Sequence, residues 1–143
     1  MNNNSENTNA FLMHISSFAG YLFPFGSIIT PLILWQTQKE KSEFLDHHGK
    51  EAVNFNISFA LYIFILSASF FSFLFGNIFD VFNGVDIDFG HDFNHHGLFG
   101  WFGVGSLVGI IISFIKIALI IIAAMKANNG ERYEYPFTIN FIK

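Results

Sequence analysis

Cysteine is absent from the chain, which excludes a disulfide, a thiolate metal site and a cysteine nucleophile. Charge is scarce as well. Only 13% of residues are charged while 52% are hydrophobic, whereas a soluble domain carries roughly a quarter charged residues. No block of basic residues occurs and the net charge is −4, which excludes a nucleic-acid partner. The chain has no Ser-His-Asp arrangement, no phosphate-binding glycine loop and no nucleotide fingerprint, so it is expected to be non-enzymatic and to hold no cofactor. Its start, Met1 to Asn9, lacks the basic residues of a secretory signal, and the apolar run that follows is read as a retained helix.

Apolar sequence fills the space that charge leaves. From Glu6 to Lys39 the sole ionisable residue between is His14. A second uncharged run covers Ala52 to Phe79, and a third, from Leu98 to Met125, is interrupted only by Lys116. A hydrocarbon core of about 30 Å takes roughly 20 helical residues. The expected fold is therefore all-α: a single membrane domain over 1–143, an integral helical bundle with three transmembrane helices at 11–35, 53–75 and 101–125. A polar tail occupies 1–10, a cytoplasmic loop 36–52, an outer loop 76–100 and a cytoplasmic tail 126–143. Lys39, Lys41 and Lys50 lie after the first run, and Lys126, Arg132 and Lys143 after the third. The stretch from Gly76 to Gly100 holds only acidic charge. Retention of Lys and Arg inside the cell then predicts an outer N-terminus and a cytoplasmic C-terminus. The expected location is the bacterial cytoplasmic (inner) membrane, as a multi-pass protein.

Four features carry candidate chemistry. Pro24-Phe25-Gly26 interrupts the first run and predicts a kink or a re-entrant break. Lys116 is an intramembrane cation, costing on the order of 2.5–3.5 kcal/mol on insertion scales, and is the residue on which a small oligomeric channel or carrier would depend. Gly105, Gly109 and Ser113 recur every four residues and form a stripe where another helix can approach. His91, His95 and His96 in the outer loop are weak metal-ligand candidates, with Asp88 or Asp92 beside them. The tail after Gly130 alternates, with Tyr133, Tyr135, Phe137, Ile139 and Phe141 on one side, and Gly130 itself is a helix stop.

Two stretches carry a family resemblance. His48-Gly49-Lys50-Glu51-Ala52 leads into Asn54-Phe55, and Lys126 to Phe137 forms a closing segment; His14, Pro24 and Pro31 to Trp35 fit the opening. Together they resemble a group of small bacterial membrane proteins of unknown function (domain-of-unknown-function family 4870). That group is similar to the twenty-kDa subunit of the chloroplast inner-envelope protein-import (TIC) complex. The resemblance implies a membrane interaction or assembly component linked to protein transport. Its expected interaction residues are His48, Glu51 and Asn54, together with Asn129, Glu131, Tyr133 and Tyr135. The two segments are expected to meet on the inner face as a shared docking surface. The expected partners are the lipid bilayer and further membrane proteins or other copies of the chain.

Overall fold

The computed structural model describes residues 3–82 and 96–143, and among them it contains helices, turns and an extended tail but no strand. The helices are α1 (Asn3–Ile15), α2 (Gly26–Gln38), α3 (Glu43–Phe82) and α4 (His96–Asn128), with a 3-10 segment at Ser16–Tyr21 following α1. Of the residues expected as a polar tail, 3–10 thus already belong to α1. Glu6 in its first turn complements the helix dipole.

The first expected span, 11–35, is not one helix. Pro24 has no N–H to continue a helix and pushes the preceding residue out of helical geometry. Phe25 then takes a left-handed conformation, φ 61°, and the chain doubles back. Arm packs on arm. A side-chain carbon on Gly26 would stand 2.6 Å from the Ala19 carbonyl carbon, and one on Gly20 2.8 Å from Ser27 Cβ. The Thr30 hydroxyl lies 2.6 Å from the carbonyl oxygens of both Ser16 and Gly26. With 13 residues each, α1 and α2 are about 20 Å long and too short to cross.

Among the described residues two helices, not three, are long and apolar enough to cross a membrane: Glu43–Phe71 within α3 and Gly105–Asn128 within α4. The expected outer N-terminus depended on a third crossing. Two candidate spans give an even count, and Asn7 donates to the Asn128 carbonyl at the end of α4 (3.1 Å).

Local sequence sets the ends of the long helices. Ser42 caps α3 by accepting the Leu45 N–H (3.3 Å), and Glu43 and Asp46 occupy the first turn. At the end of α4, Gly130 adopts φ 78°, as expected of a stop signal. The Glu131 N–H reaches the Lys126 carbonyl (3.0 Å) and the Gly130 N–H the Ala127 carbonyl (3.0 Å), a Schellman closure.

Two compact units make up the chain. Residues 62–114 form one, the adjoining lengths of α3 and α4, with exposed Phe64, Leu66, Phe71, Leu107, Ile111 and Phe114. Exposed apolar surface of this kind suits lipid. On its small-residue stripe, a side chain at Gly109 would meet nothing within 4 Å, and Ser113 Oγ turns back to the Gly109 carbonyl (2.8 Å). The other unit joins 1–61 with 115–143 and contains the buried core. There Ala10, Met13, Leu45 and Ala127 form one cluster, and Phe55, Ile120, Ala123 and Tyr135 another.

Gly49 is the tightest contact in that unit. A methyl group there would run into the Trp35 ring and stand 2.6 Å from Trp35 Cβ. Trp35 cannot swing away freely, because it is buried and its Nε1 donates to Asp46 Oδ1 (2.9 Å). Gly49→Ala is therefore expected to cost about 1–3 kcal/mol. Thermal unfolding in detergent, followed by tryptophan emission, checks this.

Candidate functional site

The polar side chains of the larger unit converge at the start of α3, which α1 and the tail flank. His14 projects from the last turn of α1. Its Nδ1 lies 2.9 Å from the Tyr135 hydroxyl and its Nε2 2.9 Å from His48 Nδ1. All three side chains are buried. Burial, with His48 and His47 nearby, lowers the His14 pKa to about 3, so the ring is neutral. Burial, Tyr133 and Glu51 push Tyr135 well above the usual phenol range, so its proton stays. Each neutral ring carries one N–H, so the His14 tautomer sets the direction of both hydrogen bonds together: whichever ring nitrogen holds the proton donates and the other accepts.

The tail is held along α3 by side chains that pair with its backbone. The Tyr135 N–H donates to Glu51 Oε2 (3.0 Å). The Ile139 N–H donates to Ser58 Oγ (2.8 Å), which itself donates to the Asn54 carbonyl (2.8 Å). Asn54 grips Ile142 with both ends of its amide: Nδ2 to the carbonyl and Oδ1 from the N–H, each 2.9 Å. Non-helical backbone within a membrane protein must find such partners. Asn56 ties the hairpin to the same helix, donating to Ser17 Oγ (2.7 Å). Tyr135 stacks on Phe55 with ring centroids 4.0 Å apart, and Tyr133 meets Tyr135 edge-on at 5.3 Å. Burial raises the pKa of Tyr133 also.

The sequence-derived residues thus fall into two sets. His48, Glu51, Asn54, Tyr133 and Tyr135 come together, and His48, Asn54 and Tyr135 are turned inward on one another and on the backbone. Asn129 and Glu131 are exposed: Asn129 helps close α4 through its backbone, and Glu131 pairs with Lys126. Arg132 joins Glu43 across the outside (2.8 Å). Lys116 lies apart from this network, its Nζ 4.6 Å from the centroid of the Phe59 ring, a cation–π contact. Among the described residues no carboxylate forms an ion pair with it.

His91 and His95 lie outside the described residues, as does the extended segment expected near Val85 to Phe89. Of His96 only its place at the start of α4 is described. The outer loop expected over 76–100 is shortened from both ends, because α3 runs to Phe82 and α4 begins at His96. Among the described residues no group of three His, Asp or Glu is placed to hold a metal ion.

Reasoning from sequence missed His14 and Ser17 as members of this network. His14 carried a usable signal, being the sole ionisable residue in a long apolar run, and Ser17 carried none. Asn56 and Ser58 are polar residues in an apolar span, which seek partners across helices, and they find them in Ser17 and the Ile139 backbone.

The fold and this internally paired site define a class: an all-helical protein with two candidate membrane spans among the described residues. The chain belongs to the magnetosome magnetite crystal formation protein family, MamF/MmsF, whose model matches residues 5–142. No curated protein and no solved structure matches it. The family match corrects the resemblance drawn from the two segments. The chain is assigned neither to family 4870 nor to the chloroplast import component, and the link to protein transport falls with it.

Proposed function

We propose that this protein acts in magnetite crystal formation as a non-enzymatic structural component of the magnetosome membrane. The observation that carries the reading is the family match over nearly the whole chain. The site supports the non-catalytic part. Its His14, His48, Tyr135 and Asn54 side chains are buried and engaged with one another or with the tail backbone, which suits a clasp holding the membrane unit together. The chain crosses the membrane twice, with α1 and the tail on the lysine-bearing cytoplasmic side. On that side Glu43, Arg132, Lys126, Glu131 and Asn129 are exposed to partners.

The test is deletion of the gene in a magnetite-forming host, followed by complementation with the native chain or with Asn54→Leu. Electron microscopy is expected to show altered crystal size or number in the deletion. The native chain restores the crystals and Asn54→Leu does so incompletely. Crystals unchanged by the deletion overturn the reading.

A further inference from the structure

The hairpin built from α1, the 3-10 segment and α2 grades from polar to apolar. Its open end carries exposed Thr8, Gln36 and Thr37, whereas its closed end carries Tyr21, Leu22, Phe23 and Phe25. Leu22 is 85% exposed and Phe25 72%. An exposed apolar patch of this kind marks a binding surface, and three observations identify what it binds.

The first is level. The exposed apolar surface of α4 continues through Ile121, Ile122 and Met125, and Lys126 follows. Asn7 bonds to Asn128 just beyond it. So α1 enters where α4 leaves its apolar zone, and Phe18 packs against the cluster of Phe55, Ile120, Ala123 and Tyr135, whose α4 members lie further into that zone. The second is return. α2 comes back to the first turn of α3, where Trp35 bonds to Asp46. The third is backbone chemistry. At the closed end the N–H groups of Leu22 and Phe23 donate to the Ala19 carbonyl, that of Gly26 to Phe23 and that of Ile28 to Phe25, at 2.9–3.1 Å. Pro24 has no N–H to satisfy. A turn that pairs most of its amide groups internally exposes fewer unsatisfied groups to hydrocarbon than an open loop does.

We propose that residues 10–35 form a re-entrant hairpin whose closed end is embedded in the acyl chains of the leaflet on the lysine-bearing side. From Ala10 to Tyr21 the inward arm rises roughly 20 Å, and from Gly26 to Trp35 the return arm about 15 Å. A hydrocarbon core is about 30 Å thick. The hairpin therefore reaches the middle of the bilayer and stops short of the far side. It adds cross-section to one leaflet alone.

The absence of cysteine makes the test clean, because an engineered one is the sole thiol. Leu22→Cys and Thr37→Cys change exposed side chains at opposite ends of the hairpin, so neither disturbs the core. Each full-length variant is reconstituted in phospholipid vesicles and treated with a membrane-impermeant maleimide. Cys at position 37 is expected to react at the rate of a free thiol. At position 22 the reaction is expected to be roughly tenfold slower or more, because a thiol among acyl chains does not ionise. A fluorophore attached there in detergent before reconstitution is expected to be quenched more by lipids with a mid-chain nitroxide than by a headgroup nitroxide. Equal labelling rates would place the closed end in water and overturn the proposal. A protected thiol without deeper quenching would mean that protein, such as a second copy, covers it, and overturns the proposal equally.

Discussion

Asn54→Leu is expected to release the tail from α3 and to cost about 2–4 kcal/mol. The side chain is 1% exposed and its amide is matched end for end with the Ile142 peptide group. Leucine fills a similar volume but can neither accept the Ile142 N–H nor donate to its carbonyl. Each buried polar group left without a partner costs about 1–3 kcal/mol. Detachment relieves that cost only by giving up the neighbouring bonds from Ile139 to Ser58 and from Tyr135 to Glu51. The expected result in detergent is faster amide exchange and protease cleavage over 133–143, with a lower unfolding temperature. Asn54→Asp is a sharper control, because it keeps the acceptor for the Ile142 N–H and loses the donor. A tail equally protected in native protein and Asn54→Leu would show that the amide clasp does not hold it.

Acidification is expected to destabilise the protein through His14. Its pKa is about 3 in the folded chain against an ordinary 6.5. The unfolded chain therefore binds a proton that the folded chain refuses, and stability falls with pH through that window. Between pH 7 and pH 5 the loss from this group alone is about 2 kcal/mol, at roughly 1.4 kcal/mol per pH unit below 6.5. The reason is geometric. A second proton makes donors of both ring nitrogens, leaving His14 nothing to accept with, and places a charge in a buried site beside two further histidines. A His14→Gln variant is expected to be less stable than native protein at pH 7 and to lose most of this acid dependence. The measurement is the unfolding temperature of both proteins from pH 7 to pH 5 in one detergent. Parallel curves would show that His14 is not the responsible group.

Both predictions depend on contacts between segments far apart in the chain, and the same distinction separates what was legible from what was not. Hydropathy and charge scarcity depend on composition within one window. The helical class, the spans around 53–75 and 101–125, and the stop at Gly130 were therefore readable, since each follows from local periodicity or from one residue's backbone freedom. The run from Phe11 to Trp35 shows the limit. It is as apolar as a span, but Pro24 and Phe25 let the two arms pack on each other, a choice hydropathy does not record. That fold-back changed the count of candidate spans from three to two.

The candidate site divides in the same way. His48, Glu51, Asn54 and Tyr135 stood out through the resemblance of their two segments to family 4870, which the family match corrects. Which partners they find is a tertiary matter. His14 reaches Tyr135 across 121 positions, and Asn54 reaches Ile142 across 88. By itself the sequence determined a membrane setting, helical spans and the lack of thiol chemistry, because these depend on which side chains are present and how they are spaced. Only the tertiary structure decided that the first apolar run turns back, that α1 lies at the end of α4, and that the polar groups are spent on an internal clasp. Burial and hydrogen-bond pairing are properties of chain segments brought together from a distance, and no local pattern encodes them.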